Sequence, residues 1–456
     1  MLIRFSVQNI YSFRDKVTFS MLPGLERLKP EHKSGPVDGI SLLKTGLVYG
    51  ANASGKSNLA RIISFGKFLV IKGFKPDSPI SYHPFMLDVS TRKAPSQIEY
   101  EIQTHDANYA YGFVFSAETI KEEWLYKISR KKEIKIFTRD AGGFDLNYLI
   151  KKNSSEDERM FIKSLAKSTL DNQLFLNKVL SSKTEGNISD ISDITNVIDW
   201  FQNTLQVIFP DDKYNEGIKT ELTNNAKTKE LFCKLLKYFN TGVDDVCLQE
   251  VDLRKINIPE VVINHIKDDL MAAKSRNMKV TLSTPFNTYF IALGKGGEIK
   301  ATKFMTVHNV KGSDKPIYFD TESESDGTNR IIDYIPVLQD LILKDKVFVI
   351  DEIERSLHPN LVYDIFKLFL TFCKKRKSQL IVSTHESSLL TQKLLRKDEI
   401  WFMVKDKEGG SHLSSLNEYM VRFDKSIRKD YLLGRFKGVP DLGNKYDIED
   451  LFKEGD

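Results

Sequence analysis

The chain opens on alternation. LIRFSVQNI and KVTFSM place apolar side chains at every second position, the spacing of a half-buried strand. LLKTGLVYG runs as a further strand into a glycine-containing loop. SNLARIISFGKFL then changes to helical spacing through Leu59, Ile62 and Ile63. QIEYEIQ, NYAYGFVFS, TIKEEWLYKIS and EIKIFTRD read as strands again. Their connections, THDA, AE and RKKE, are hairpin-sized, so an antiparallel meander is predicted over about 95–140. From about 150 to 275 the period shifts once more, and FIKSLAKSTL, VIDWFQNTLQVIF, TKELFCKLLKYF and VVINHIKDDLMAA read as helices with polar joints. Strands resume in KVTLST, TYFIALG, FMTVHNV and PIYFD. A helix (DGTNRIIDYIPVLQDLILK), a buried strand (VFVID), a helix (LVYDIFKLFLTFCKK) and two buried strands (LIVSTH, IWFMVK) follow.

This order predicts an α/β fold with a parallel sheet, interrupted in sequence by a helical block. The expected division is an N-terminal part over 1–150, a helical insertion over 151–275 and a C-terminal part over 276–456. None of the helical patterns is sustained over three or four heptads, so a long coiled coil is not expected. No stretch approaches the roughly 18 uninterrupted apolar residues of a membrane span. The first residues read as a strand and not as a leader. Three cysteines lie far apart without metal-ligand spacing, as reduced thiols of a cytoplasmic protein would. The net charge of +5 is mild for 456 residues and does not announce a nucleic-acid binder.

The chemistry concentrates at four places. Gly50-Ala51-Asn52-Ala53-Ser54-Gly55-Lys56-Ser57, with Asn58 following, matches the P-loop pattern between a strand and a helix. Its backbone N–H groups suit phosphate oxygens, Lys56 their charge, and the Ser57 hydroxyl a Mg²⁺ ion. VFVIDEIE sets Asp351 and Glu352 at the C-terminal end of a buried strand, where open α/β sheets bind ligands. Asp351 is expected to hold Mg²⁺ through water, and Glu352 to orient or deprotonate an attacking water. LIVSTHE ends a neighbouring strand in His385, placed to hydrogen-bond a γ-phosphate. His32, His105 and His412 are read as packing or surface residues. Ser325-Asp326-Gly327-Thr328 starts a helix about 24 residues before Asp351. Ser325 and Gly327 there offer a hydroxyl and free amides, a second phosphate-binding surface.

In this order the motifs resemble those of the ATP-binding-cassette ATPases, with a signature at 325–328, a D-loop ERSLHP at 354–359 and a switch His385. Lys56 and Ser325 are 269 residues apart, which is similar to the heads of chromosome-maintenance and recombination-repair ATPases rather than to transporter subunits. More narrowly, LIRFSVQNIYSF, YGANASGKSNL, SDGTNRI and DEIERSLHP resemble abortive-infection ATPases of the RloA/AbiLi type, relatives of the ATPase half of the OLD nucleases. The resemblance implies a P-loop NTPase head of ABC type that uses ATP and Mg²⁺. It implies dimers or higher homo-oligomers through shared ATP sites, and a sensor or regulator of a separate effector nuclease in phage defence. A nucleic acid or phage component would be the trigger, and no membrane is involved. The alternative is a DNA-repair or chromosome-associated ATPase acting directly on DNA. The family's Mg²⁺-sensing glutamine has no obvious context here, and Gln173 in LDNQLFL is the candidate. About 70 residues follow His385 without a paired-acid DxD pattern, so no nuclease activity is expected of this chain itself. Two basic runs, 127–139 with six positive charges against one negative and 425–437 with five against one, are candidate phosphate contacts.

Overall fold

The computed structural model describes residues 1–152, 155–182, 190–214, 222, 225–252, 259–272, 279–283, 288–293, 298–419 and 426–439. Strands β1 (Leu2–Gln8) and β2 (Val17–Ser20) precede β3 (Thr45–Gly50), which leads into helix α1 (Lys56–Ile71). Next come β4 (Ser96–Gln103), β5 (Asn108–Phe115), β6 (Ile120–Ile128), β7 (Glu133–Asp140) and β8 (Gly143–Asp145). Helices α2 (Asn147–Lys152), α3 (Glu156–Lys167), α4 (Phe175–Ser181) and α5 (Ser192–Asp199) run up to β9 (Leu205–Ile208). After them lie α6 (Ala226–Tyr238), β10 (Asp245–Val251), α7 (Glu260–Ala272), β11 (Lys279–Ser283), β12 (Thr288–Leu293), β13 (Ile299–His308) and β14 (Ile317–Asp320). The chain continues through α8 (Asp326–Leu343), β15 (Val347–Ile350), α9 (Pro359–Phe372), β16 (Gln379–Ser383), β17 (Ile400–Lys405), β18 (Ser411–Ser415) and α10 (Ile427–Leu432).

The architecture is α/β, and the chain forms two compact units. One holds residues 1–210, 341–354 and 366–456; the other holds 211–340 and 355–365. The sequence division at 150/151 and 275/276 follows the order of motifs along the chain, and its second boundary lies outside the described residues. The compact units are discontinuous instead.

The first unit contains two sheets. One has the order β2-β1-β4-β5-β6-β7-β8, and its β4–β7 stretch is the predicted meander, antiparallel throughout. The other has the order β18-β17-β3-β16-β15-β9, with β17, β3, β16, β15 and β9 mutually parallel. β15 (VFVI) and β16 (QLIVS) are buried at every position, as strands covered on both faces require. Buried residues of both sheets and of α1 belong to one hydrophobic cluster. The fit of α1 is close at Gly66. A Cβ there would stand 2.2 Å from the hydroxyl of Tyr100, which donates to the carbonyl of Ile63. Helices α3–α5, read from sequence as part of an insertion, contribute Ile162, Leu165, Phe175, Leu176 and Val197 to the same core.

Two segments depart from the helical reading. VIDWFQNTLQVIF does not stay helical; α5 passes through a π-turn at Trp200–Thr204 into β9. The open parallel edge of β15 pairs with Leu205–Ile208, and the N–H of Asp351 donates to Ile208 O. An unpaired strand edge can convert a short segment whose own preference is weak. In the second unit, Asp245–Val251 pairs along β13 from Asp245↔Val307 to Val251↔Ala301. Its DVCLQEV sequence does not alternate, and the strand is set by this seven-residue pairing with β13 rather than by a local pattern. That unit's sheet runs β10-β13-β12-β11, with β14 also on β13. Ile266 and Leu270 of α7 pack on Ile291 and Ala301.

Candidate functional site

The loop after β3 is folded by glycine and by close neighbours. Gly50 has no room for a side chain, since a Cβ would come within 2.4 Å of Met403 O and 2.5 Å of Ser54 Oγ. Gly55 has φ 113° and a Cβ would meet Ser411 Oγ at 2.3 Å. Ala53 also takes a left-handed backbone, φ 62°. Ser411 on β18 braces the turn, its hydroxyl donating to Ser54 O at 2.7 Å and its N–H to Ser12 O at 2.7 Å. Asn58 Nδ2 donates to Ser12 Oγ at 2.9 Å. The N-terminal Asn9-Ile10-Tyr11-Ser12 turn thus buttresses the P-loop, a role its sequence did not announce.

Lys56 opens α1, buried at 7% exposure, and donates from Nζ to Gly50 O at 2.8 Å and Ala51 O at 3.0 Å. Burial lowers its pKa, and the carboxylates of Asp351, Glu354 and Glu352 pull the other way. The ammonium is held on weak carbonyl partners with three acids nearby, a charge poised to be exchanged onto stronger acceptors. Ser54 Oγ is buried with no hydrogen-bond partner in the described structure. An orphaned hydroxyl inside a ring of backbone amides at a helix N-terminus fits an incoming anion.

β15 ends in the two acids. Asp351 is buried at 3% exposure and accepts a hydrogen bond from the Ser383 hydroxyl. The N–H of Glu352 donates to the same Ser383 oxygen at 3.0 Å. Glu352 has φ 51°, a left-handed conformation that a glutamate adopts at a cost of order 1–3 kcal/mol. Such strain persists where the surroundings over-determine it, and Ser383 supplies part of that constraint. Glu354 adds a second tie. Its carboxylate accepts from the Thr384 hydroxyl at 2.7 Å and from the N–H of His385 at 2.6 Å. The β15 and β16 loops are therefore stitched together by Ser383, Thr384 and Glu354. Only the hydroxyl-rich STH ending of β16 hinted at that.

A cavity of about 500 Å³ gathers the pieces. Asn52, Ala53, Ser54, Gly55, Lys56, Ser57, Asn58, Glu352 and His385 line it together with Arg61 and Lys405, whereas Gly50, Ala51 and Asp351 do not. Those two cations were not singled out from the sequence; Arg61 sits one turn along α1 from Ser57 and Lys405 closes β17. Partial desolvation, then Lys56, hold the His385 imidazole below its usual pKa against Glu354, Glu352 and Asp351. An adjoining cavity of about 270 Å³ shares Asn58 and Lys405 and is walled by Tyr11, His83, Phe85, Met86 and Leu87. The rings of Tyr11 and His83 lie 5.6 Å apart.

Gln173 lies elsewhere. Its side chain donates to Asn177 Oδ1 at 2.8 Å, and Asn177 in turn donates to Val70 O near the far end of α1. Val70 is fourteen residues from Lys56, about 21 Å along a helix axis. The lining of the 500 Å³ cavity does not include Gln173.

Ser325 and Gly327 belong to the second unit. Ser325 is exposed; its Oγ accepts from the N–H of Thr328 at 3.0 Å and shares a 2.9 Å hydrogen bond with the Thr328 hydroxyl. Ser325 therefore caps the helix, with Gly327 set so closely that a Cβ would stand 3.1 Å from Ser356 O. Of the basic run 127–139, Lys127 pairs with Asp193, Lys135 with Asp145, and Arg139 donates to the carbonyls of Gln173 and Leu170. Of the second run, Arg435 pairs with Asp430 and Arg428 donates to Ser387, while Lys425 lies outside the described residues.

A family model described as "AAA domain, putative AbiEii toxin, Type IV TA system" matches residues 47–159 and 248–391, more than half of the chain. No curated protein sequence matches it. Among solved structures, the SMC head domain from Thermotoga maritima is similar at 10% identity with a TM-score of 0.36, covering 91% of this chain and 98% of that one. An SmcHead bound to the C-winged helix domain of ScpA is similar at 13% identity with a TM-score of 0.37, covering 91% and 97%. Both are loose likenesses. No helix among the described residues is long and apolar enough to cross a membrane.

Proposed function

The chain belongs to the AAA-domain family whose model matches more than half of it, and from that premise we propose an ATP-hydrolysing sensor subunit of a bacterial anti-phage system. It works as a dimer or higher oligomer, controls a separate effector nuclease, and is related to the RloA/AbiLi ATPases and the ATPase part of the OLD nucleases. The observation that carries the hydrolytic part is Glu352, a carboxylate in a strained backbone conformation lining one cavity with Lys56 and His385.

In this reading Lys56 leaves the carbonyls of Gly50 and Ala51 for the β- and γ-phosphate oxygens. The Ser54 hydroxyl and the loop amides complete the cradle. The Ser57 hydroxyl and the Asp351 carboxylate would hold Mg²⁺, which would neutralise phosphate charge when bound. Glu352 accepts the proton of the attacking water, and His385 contacts the γ-phosphate from the β16 loop. The base lies toward Tyr11 and His83, whose rings offer a stacking wall. Ser325 and Gly327 of one copy face the γ-phosphate held by another, so hydrolysis requires association. Direct action on DNA is the weaker alternative, because Lys127, Lys135 and Arg139 already have partners within the chain, which leaves Arg130, Lys131 and Lys132 as the exposed cations of that run.

Glu352→Gln tests the site. ATP binding should persist while hydrolysis slows by ~10²–10⁴, the scale of removing a positioned base, and ATP-loaded dimers should accumulate on size-exclusion chromatography. A wild-type turnover rate in that variant would remove Glu352 from the chemistry.

A further inference from the structure

Glu324 precedes the helix cap by one residue, yet its side chain turns away from the helix. A carboxylate at this position would ordinarily gain from the first amides of α8. Ser325 occupies that role instead. Glu324, only 8% exposed, reaches back to β13. His308 donates from Nε2 to Glu324 Oε1 at 2.7 Å, and the Thr306 hydroxyl donates to the same oxygen. The turn's backbone is fixed as well. The N–H of Glu324 donates to Thr321 O at 3.2 Å, and Asn329 Nδ2 donates to Thr321 O at 2.8 Å.

The other end of the segment is tied to the same strand. β14 pairs with β13 from Met305↔Asp320 to His308↔Ile317, and the Phe319 ring stands 4.8 Å from that of His308. The residues between β14 and α8 thus form a short loop closed twice on β13. β13 is also the strand that β10 and β12 share.

We propose that Glu324 is a positioning residue for ATP hydrolysis: clamped by His308 and Thr306, it fixes the Ser325 hydroxyl and the first amides of α8 in the orientation that completes the ATP site of a second copy. This rests on the reading of Ser325 given above. The clamp also makes the orientation of Ser325 depend on the five-stranded sheet, so a partner that shifts β13 changes turnover without touching the nucleotide. A side chain whose hydrogen bonds serve only the fold would lower stability but would not sort with one side of a shared site.

The test is complementation in mixed dimers, read beside kcat and the affinity for a fluorescent ATP analogue. Glu324→Ala should lower kcat by roughly ten- to a hundredfold, since about 1.4–2.7 kcal/mol corresponds to that range. Analogue affinity should be unchanged. Glu324→Gln keeps an acceptor for both donors and should retain most of the activity. Mixed with Lys56→Ala, the Glu324→Ala chain should regain turnover, because one site of the heterodimer is then intact. Mixed with Ser325→Arg it should not, because both defects fall on the same side of the site. Rescue of Glu324→Ala by Ser325→Arg, or wild-type kcat in Glu324→Ala while Ser325→Arg is inactive, would overturn the clamp and leave the shared site standing. Full activity in Ser325→Arg alone would overturn the shared-site reading beneath it.

Discussion

Strand β3 has a buried lysine at each end, and the two make an instructive pair. Lys44 precedes the strand at 1% exposure and donates from Nζ to Cys373 O and Lys374 O, both at 2.8 Å. Lys56 follows its far end at 7% exposure and also rests on two carbonyls. Burial lowers the pKa of each. The carbonyls differ in what else could satisfy them. Those at Cys373 and Lys374 close the C-terminal end of α9, where backbone acceptors lack helical partners and Lys44 completes them. Those at Gly50 and Ala51 belong to a loop beside a cavity, with three acids facing the ammonium. The same two-carbonyl arrangement caps a helix at one end of the strand, and at the other it lies beside a cavity, as the proposed function requires.

Lys56→Ala should weaken ATP binding by about a thousandfold, on the order of 4 kcal/mol for removing charge-assisted hydrogen bonds to phosphate from a half-buried site. The melting temperature without nucleotide should stay near wild type; titration calorimetry and a thermal melt read the two quantities. A folded variant with unchanged affinity would erase the distinction from Lys44.

Lys44→Ala should do the opposite. Leaving the end of α9 without its buried donor should cost roughly 3 kcal/mol of stability. The surviving folded fraction should bind ATP with wild-type affinity. Denaturant unfolding monitored beside ATP titration would show it, and a drop in affinity at preserved stability would count against the assignment.

Glu123 sharpens the structural side. It is wholly buried and accepts from the Tyr111 hydroxyl at 2.9 Å and from the amides of Phe175 and Leu176 at the start of α4. Burial nevertheless raises its pKa to about 7, against those hydrogen bonds and Arg139. A carboxyl whose folded pKa lies above its unfolded value stabilises the fold fully below about pH 4.5, and loses that contribution as pH rises through about 7. Glu123→Gln should therefore gain stability at pH 8 relative to its effect at pH 5, by at most about 3 kcal/mol. Equal effects of the substitution at the two pH values would mean the carboxyl titrates normally.

Much of this was legible from residue order because the elements concerned are governed by local rules. The P-loop is glycine chemistry at a helix start, the acids of VFVIDEIE terminate a run only a doubly covered strand can use, and the meander alternates with hairpin-length turns. Other elements were read wrongly or not at all because their state is set by neighbours distant in sequence. β9 exists because β15 presents an edge to it, although LQVI sits inside a helical period. In the basic run 127–139 the sequence does not show that Lys127 and Lys135 meet Asp193 and Asp145, while Arg130, Lys131 and Lys132 stay exposed.

What the sequence determined by itself is thus local: where the glycine loop lies, and which strand ends carry the acids and the histidine. Those features need only backbone conformation and strand polarity, and both are written within a few residues. Tertiary structure alone decided that Ser383 and Glu354 lock the loops after β15 and β16 together and that Glu324 bonds β13 rather than its own helix. It also separated Lys44, on the carbonyls at the end of α9, from Lys56, on the carbonyls of the glycine loop. Each of these depends on which acceptor lies within about 3 Å in space, and periodicity along a chain carries no information about that distance.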